Sequence, residues 1–314
     1  TSRRIGENMK RAVITGCTGA VGISLIEELI QNNWKVLAVP REGSTRISSI
    51  PKHPNVQIVE CNLENLERLP ELVEEQFDVF FHFAWDGTYG EDRIDCIRQN
   101  HNVECCIHAV DVASKLGCKV FMGAGSQSEC GHVDGILTPD ISCKPDNAYG
   151  SAKLSACNMS RVRCNQLGIR HNWCRILSMY GPYDGKYTMV MSIIGKLLSG
   201  EMPLCTKGDQ IWDYIYNKDA ARAFRLVAEK GKKDAIYCLG SGNTKRLKEY
   251  IEIIRNSIDI NLPIGFGEIP YYPNQVMHLE ADISSLKKDT GFEIEYSFEE
   301  GIKETIQWYK ENCL

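Results

Sequence analysis

The sequence predicts an α/β protein with a doubly wound parallel sheet and a smaller, mostly C-terminal domain. Three observations predict it. Up to about residue 180, short β-branched runs alternate with longer amphipathic patterns, a glycine-rich turn joins the first strand to the first helix, and the alternation ends after Gly181 and Pro182. Strict alternation of strands and helices is typical of βαβ units, in which helices cover both faces of a parallel sheet.

The individual elements follow from local patterns. Six runs have the length and composition of strands: residues 11–15, 35–39, 56–60, 79–83, 119–122 and 172–177. Between them, apolar residues recur every three or four positions, which predicts amphipathic helices. The elements expected after residue 182 are a helix at 189–199, a strand at 211–216, a helix at 218–229 and a Pro- and Gly-rich loop at 263–273.

These elements predict two domains and a tail. Residues 10–181 are expected to form the doubly wound domain, to which residues 211–240 return. The smaller domain is expected to comprise residues 182–210 and 241–314. Residues 1–9 are polar and basic, without an apolar core, and are interpreted as a tail or an expression remnant.

The composition excludes several classes of protein. Of the 314 residues, 43% are hydrophobic and 25% are charged, and the net charge of -5 is not gathered into blocks. This disfavours binding to nucleic acid or to an anionic membrane. The apolar runs are far shorter than the roughly 20 residues of a membrane span, so we expect none. The 14 cysteines include no Cys-x-x-Cys pair, which predicts reduced, mostly buried thiols, no metal site and a cytoplasmic location.

The segment TGCTGAVG at residues 15–22 follows the first strand and opens the first helix. Gly16 permits a tight turn, Gly19 lets the backbone approach a pyrophosphate, and Gly22 allows helix and strand to pack closely. This context predicts a Rossmann-like dinucleotide site rather than an ordinary turn. The predicted cofactor contacts in this loop are Gly16, Thr18, Gly19, Ala20, Val21 and Gly22.

The end of the second strand should decide which cofactor binds. An acid at this place would accept hydrogen bonds from the adenosine ribose, but Pro40 and Arg41 hold it, with Arg46 close behind. An arginine pairs with a ribose 2′-phosphate, so the sequence favours NADP(H). Glu42 leaves NAD as the alternative, and a solvated loop is the simpler interpretation of both arginines.

Tyr149 and Lys153 are four residues apart, and hence on one face of a helix. A nearby cation stabilises phenolate, so the tyrosine hydroxyl can exchange a proton with a substrate alcohol or carbonyl. Ser126 follows the predicted strand 119–122 and should lie at the carboxyl edge of the sheet, where ligands bind in open α/β sheets. Ser126, Tyr149 and Lys153 are therefore the candidate catalytic residues, a capping hydroxyl being the alternative for Ser126.

Together, the GxxGxxG spacing and these three residues resemble the extended short-chain dehydrogenase/reductases, specifically the NAD(P)-dependent epimerase/dehydratase family of nucleotide-sugar enzymes. The likeness extends from Lys10 to about Trp308. It includes the segments CNL at 61–63, FHFA at 81–84, NV at 102–103, RILSMYGP at 175–182 and WDYIYNKD at 212–219. The resemblance implies further cofactor contacts at Asn62, Leu63, Phe83, Ala84, Trp85 and Asn102.

Departures from the family pattern restrict the reaction. Nucleotide-sugar 4,6-dehydratases carry Asp-Glu directly after their Ser or Thr, whereas this chain has Gln127 and Ser128, so elimination of water lacks its acid and base. Enzymes of the GDP-fucose synthase kind have a cysteine where Ser128 stands, which disfavours that double epimerisation. Cys130 stands where many relatives have tyrosine, and Trp212 replaces an arginine that often contacts the nucleotide diphosphate.

Two reactions remain. A 4-ketoreductase would use NADPH to reduce a nucleotide-linked 4-keto deoxysugar, with Tyr149 as proton donor; Arg41 and a looser likeness to CDP-abequose and CDP-paratose synthases favour it. A 4-epimerase would use the same residues with tightly bound NAD. A third possibility from another class is a non-catalytic regulatory protein that binds NADP(H).

The resemblance also implies where the substrate binds and how the chain assembles. The expected partner is a nucleotide sugar, held partly by the smaller domain. Its predicted contacts are Trp85, Gln127, Ser128, Ser178, Thr188, Met189 and Trp212. Helices over residues 102–116 and 154–167 are the candidates for a homodimer interface. The nucleotide base and the sugar depend on loops that a sequence does not place.

Overall fold

A computed structural model of the chain describes residues 9–314, so that most of the predicted tail lies outside the described residues. Its strands are β1 (Arg11–Thr15), β2 (Lys35–Val39), β3 (Val56–Ile58), β4 (Val79–His82), β5 (Val120–Ser126), β6 (Gly135–Leu137), β7 (Arg170–Ile176), β8 (Met179–Tyr180), β9 (Leu204–Cys205), β10 (Ile211–Asp213), β11 (Ile215–Tyr216), β12 (Ile236–Leu239), β13 (Thr244–Arg246), β14 (Gly265–Phe266) and β15 (Leu279–Ala281). Its α-helices are α1 (Ala20–Gln31), α2 (Leu69–Leu72), α3 (Cys96–Lys115), α4 (Ala148–Leu167), α5 (Met189–Leu198), α6 (Asn217–Lys230), α7 (Leu247–Ile258), α8 (Ser284–Thr290) and α9 (Phe298–Asn312).

The central sheet has seven parallel strands in the order β12-β7-β5-β4-β1-β2-β3. Chain order runs outward from β1 in both directions, so the switch point lies between β1 and β4. The predicted fold class is confirmed. Ligands bind at such a point, beyond the carboxyl ends of the strands.

Several predicted boundaries were wrong. β3 ends at Ile58 rather than at residue 60, and β5 begins at Val120 and continues past Met122 to Ser126 because all seven of its residues pair with β7. The predicted strand 211–216 is two strands, since β10 pairs with β13 whereas β11 pairs with β8. The predicted loop 263–273 contains the short strand β14.

Helices pack on both faces of the sheet. On one face, Leu25 and Leu29 of α1 and Phe224 of α6 belong to a single buried apolar cluster. On the other face, Val110 of α3 and Ala156 of α4 belong to a second cluster. Their packing buries apolar surface, which is the main favourable contribution to folding. It also fixes the start of α4, which carries Tyr149 and Lys153, against β5.

A third apolar cluster lies outside the sheet and joins α5, α7 and α9. The carboxylate of Asp213 links this region to the sheet by accepting hydrogen bonds from the backbone N–H groups of Ser241 at 2.6 Å, Gly242 at 3.1 Å and Ala281 at 3.0 Å. The exact division of the chain into two domains stays a prediction.

Eleven of the 14 cysteines are buried, Cys96 and Cys313 are exposed, and all are free thiols. Residues 9–314 include no group of three or more His, Cys, Asp or Glu side chains placed to hold a metal ion. In the same range, no helix combines the length and apolar character needed to cross a bilayer.

Two glycines in β5 make room for Trp173 of β7. A Cβ atom built on Gly123 would overlap the six-membered part of the Trp173 ring, and one on Gly125 would overlap its indole nitrogen. Trp173 is 1% exposed. The ring thus lies across β5, directly before Ser126.

We expect Gly123→Ala to destabilise the protein by about 1–3 kcal/mol, because the added methyl overpacks the Trp173 ring. At a position with free space and a compatible backbone, Gly→Ala would instead stabilise a protein by about 0.4–1 kcal/mol, because alanine lowers the conformational entropy of the unfolded chain. Denaturant unfolding measures the difference. Trp173→Leu should remove the clash, so the double variant should lose less stability than the two single variants together. Strict additivity would contradict this packing account.

Candidate active site

The glycine loop leaves the start of α1 open. Gly16 has φ +65°, and a Cβ atom there would lie 2.6 Å from the backbone nitrogen of Ala84. Gly19 precedes α1 and offers no side chain to cap it. The first N–H groups of the helix therefore remain available to an anion, which is the arrangement that binds a cofactor pyrophosphate.

At the end of β2, Arg41 is exposed, whereas Glu42 is engaged. The Glu42 carboxylate accepts a hydrogen bond from the Asn62 amide at 3.1 Å, and the Asn62 carbonyl accepts one from the Glu42 N–H at 3.1 Å. Leu63 follows Asn62 and begins a 3-10 helix. Arg46 is exposed in the same loop as Arg41. The loop that carries Arg41 and Arg46 is thus joined to the predicted adenosine contacts Asn62 and Leu63. Glu42, the acid that would favour NAD, is the residue that binds Asn62.

A buried histidine shapes the turn after β4. His82 Nδ1 lies 3.0 Å from the Thr15 hydroxyl, which also accepts hydrogen bonds from the N–H groups of Phe83 at 3.2 Å and Ala84 at 3.3 Å. Burial, and then the charge of Lys153, lower the pKa of His82 to about 3. His82 is therefore neutral at physiological pH and has a structural role beside the glycine loop.

The segment after β4 is fastened to α3. Trp85 Nε1 donates to Gln99 at 2.8 Å. Asn102 is buried, and its amide exchanges two hydrogen bonds of 2.8 Å with the backbone of Asp86. These contacts give Asn102 a role in holding the loop, while its contact with a cofactor stays a prediction.

Tyr149 and Lys153 lie on the first two turns of α4, which Asn147 caps by accepting a hydrogen bond from Gly150 at 2.9 Å. Both side chains are buried. Lys153 Nζ donates to the Ala124 carbonyl at 2.8 Å and lies 3.8 Å from the centroid of the Trp85 ring. Burial lowers the pKa of Lys153 to about 8, partly offset by the charge of Glu129.

Ser126 is the last residue of β5, and the side chain of Glu129 binds its backbone N–H. Glu129 is fully buried and accepts hydrogen bonds from the Ser126 N–H at 2.8 Å, Trp173 Nε1 at 2.9 Å and Arg175 Nε at 2.7 Å. The Ser126 hydroxyl accepts from the Ser128 N–H at 3.2 Å. Burial raises the pKa of Tyr149, while Arg93 and then the Ser126 side chain lower it. The structure thus brings Ser126, Tyr149 and Lys153 together.

Sequence reasoning missed two residues of this site. Glu129 stands three positions after Ser126, but the sequence alone assigns it no role, because its partners Trp173 and Arg175 lie on β7. The guanidinium carbon of Arg93 lies 4.0 Å from the centroid of the Tyr149 ring, and its Nη2 donates to the Ser128 hydroxyl at 2.6 Å. No sequence pattern marks Arg93, since 55 intervening residues separate it from Tyr149.

The predicted substrate residues fall into two groups. Trp85, Gln127 and Ser128 lie beside the candidate catalytic residues, whereas the rest line a cavity of about 390 Å³ beyond the end of β7. The predicted residues of this cavity are Ser178, Thr188, Met189 and Trp212. Trp212 Nε1 donates to Ser178 at 2.8 Å. In the same cavity burial raises the pKa of Asp184 to about 6, although Thr188 donates to it at 2.9 Å.

Comparison with known proteins gives consistent matches. The chain is 27% identical over 187 residues to a dTDP-glucose 4,6-dehydratase of Xanthomonas campestris pv. campestris, which covers 57% of this chain and 53% of that protein. The chain thus spans about half the length of this relative. It is 27% identical over 333 aligned positions to a UDP-N-acetyl-alpha-D-glucosaminuronate decarboxylase of Bacillus cytotoxicus, covering 96% of this chain and 98% of that protein.

The fold also matches a solved structure. A UDP-N-acetylglucosamine 4-epimerase from Methanobrevibacter ruminantium superposes with a TM-score of 0.86 at 22% identity, covering 97% of this chain and 99% of that one. The sequence profile of the NAD dependent epimerase/dehydratase family matches residues 12–240. Since that range contains the glycine loop, Ser126, Tyr149 and Lys153, this chain belongs to the NAD dependent epimerase/dehydratase family.

Proposed function

We propose that this chain is an NADPH-dependent nucleotide-sugar reductase that reduces the 4-keto group of a nucleotide-linked deoxysugar, with Tyr149 as the proton donor. The observation that carries the proposal is the convergence of Ser126, Tyr149 and Lys153 beside the glycine loop. Ser126 is followed by Gln127 and Ser128, neither of which is a carboxylate. The site is therefore equipped to move one proton and not to eliminate water.

The protonation states favour reduction. Tyr149 is 9% exposed, and because burial raises its pKa it carries its proton at neutral pH. Lys153, with a pKa of about 8, is mostly charged there and can stabilise the phenolate that remains. The Ser126 hydroxyl accepts from the Ser128 N–H, which leaves its O–H as a donor toward the Tyr149 oxygen and, during turnover, toward the substrate oxygen.

The open N-terminus of α1 fits a dinucleotide, since Gly19 leaves its N–H groups uncapped. A bound NADPH would supply the hydride. Arg41 forms no ion pair within residues 9–314 and would hold the 2′-phosphate, with Arg46 nearby. Glu42 is bound to Asn62, which supports NADP(H) over NAD.

The cavity beside Trp212 would take the nucleotide of the substrate. In this proposal, residues 10–181 and 211–240 hold the cofactor, and residues 182–210 and 241–314 hold the nucleotide sugar. A cytoplasmic homodimer would pair α3 and α4 of two chains. This pairing is supported by Ile97, Met159 and Val162, which leave 83%, 47% and 45% of their surface exposed on these helices.

The second candidate is a nucleotide-sugar 4-epimerase with tightly bound NAD. Two observations favour it: a carboxylate, Glu42, follows Arg41, and the fold matches a 4-epimerase along nearly the whole chain. In that reaction the ionised form of Tyr149 would take a proton from the sugar hydroxyl as the hydride of C4 passes to NAD, and both would later be returned to the keto sugar. The chemistry of Tyr149, Lys153 and Ser126 would otherwise be the same.

We predict that NADPH carrying deuterium at the transferred position labels C4 of the product when CDP- or dTDP-4-keto-6-deoxyglucose is supplied. Tyr149→Phe should lower kcat by about 10²–10⁴-fold, because it removes the proton donor. Its affinity for NADPH should change less than twofold. Exposed Tyr272 provides the matched control, so Tyr272→Phe should keep the wild-type rate. Full activity of Tyr149→Phe would refute the assignment.

Arg41→Ala should weaken NADPH binding by about tenfold or more, as expected for loss of a charge-assisted contact, and leave NADH binding unchanged. Fluorescence titration of the cofactor-free protein measures both affinities. Arg161 on α4 is the control arginine, and Arg161→Ala should bind like wild type. If denaturation instead releases stoichiometric NAD, the reductase is excluded in favour of the epimerase.

A further inference from the structure

Arg93 places an uncompensated positive charge on the face of Tyr149. It ends the 3-10 helix Gly90–Arg93, and its guanidinium carbon lies 4.0 Å from the centroid of the phenol ring. Its hydrogen-bond acceptors are neutral: the Ser128 hydroxyl at 2.6 Å and the Thr88 carbonyl at 3.2 Å. Within residues 9–314, no carboxylate pairs with Arg93. Its charge is therefore available to the ring.

Neighbouring residues fix the segment that carries Arg93. Arg98 on α3 binds Asp92 at 2.7 Å and Asp86 at 2.9 Å. Gln99 Nε2 donates to the carbonyl of Asp92 at 2.9 Å and to that of Gly87 at 2.6 Å. The backbone that leads into Arg93 is thus tied to α3 by contacts that do not involve Arg93 itself. A substitution at Arg93 removes the cation and leaves these attachments in place.

The two cations near Tyr149 differ in kind. Lys153 Nζ lies 5.8 Å from the ring centroid and is bound to Ala124, and burial lowers its pKa to about 8. It therefore loses charge in mildly alkaline solution. An arginine does not deprotonate in proteins. Arg93 is thus the closer cation and the one whose charge does not vary with pH.

We propose that Arg93 is a permanent counter-charge for Tyr149, a positioning residue that stabilises the phenolate formed when Tyr149 gives up its proton. A cation over an aromatic face is attracted to the neutral ring and more strongly to the anion. The bond to Ser128 also places Arg93 next to the residue that donates to Ser126. The role in turnover rests on the proposed function, whereas the effect on the ionisation of Tyr149 does not.

Other groups also act on this phenol. Glu129, beneath Ser126, and Tyr89, in the loop before Arg93, raise the pKa of Tyr149, whereas the Ser126 side chain lowers it. Lys153 on α4 lies 5.8 Å from the ring centroid. An opposite charge within about 4–6 Å lowers the pKa of an acid by about 1–3 units. Loss of Arg93 should therefore raise the pKa of Tyr149 even though Lys153 remains.

The test replaces Tyr149 by 3-nitrotyrosine, whose phenolate absorbs visible light and forms at lower pH than that of tyrosine. Absorbance titration then reports this one site and needs no substrate. In the Arg93→Gln background we expect the pKa of the probe to rise by about 1 unit or more. Arg93→Lys should restore most of the shift, and Arg161→Gln should cause none.

An unchanged pKa in Arg93→Gln would overturn the proposal, and so would an equal shift in Arg93→Lys, since that variant keeps the charge. With native Tyr149 and a 4-keto sugar nucleotide, reduction requires the protonated phenol, so kcat should fall at high pH. Arg93→Gln should move that fall to higher pH and lower kcat at pH 7. If the absorbance shift appears but no substrate is reduced, the proposed function fails while the effect of Arg93 on the ionisation of Tyr149 stands.

Discussion

The buried carboxylate of Glu129 is the interaction on which the geometry of the site depends. It joins the end of β5, where Ser126 lies, to Trp173 and Arg175 on β7. Glu129 and Arg175 are 0% and 3% exposed, so each charge relies on the other for neutralisation. Breaking a buried pair of this kind costs about 3–5 kcal/mol. The glycines of β5 belong to the same arrangement, because they admit the Trp173 ring that completes it.

Above this pair, two cations, Arg93 and Lys153, lie near the ring of Tyr149. Burial raises the pKa of Tyr149 and so favours the protonated phenol, while in the proposed reaction Arg93 and Lys153 would stabilise the phenolate. Trp85 contacts Tyr149 edge to face, at a centroid distance of 6.1 Å, and also lies against the Lys153 ammonium. A single proton transfer requires an acid that is protonated before the reaction and whose anion is stabilised by a nearby cation afterwards.

The sequence was sufficient for features that are local. The parallel sheet, the glycine loop and the Tyr149–Lys153 spacing follow from periodicity and from short motifs, and the structure has all of them. The split of residues 211–216 was not predictable, because it depends on which distant strand each half pairs with. Arg93 and Glu129 were missed for the same reason. The fold brings their partners near, and no residue spacing in the sequence shows that proximity. Glu42 is a further case, since its contact with Asn62, 20 positions away, also depends on the fold.

The Glu129–Arg175 pair holds together the edge of the sheet at which Ser126 lies. The most direct measurement is the free energy of unfolding of Glu129→Gln, Arg175→Met and the double variant, by denaturant titration. Each single change leaves a buried polar partner unmatched and should cost about 3–5 kcal/mol. The double variant leaves no charge stranded, so it should lose less than the sum by about 1–3 kcal/mol. Additive losses, or single variants as stable as wild type, would contradict the account.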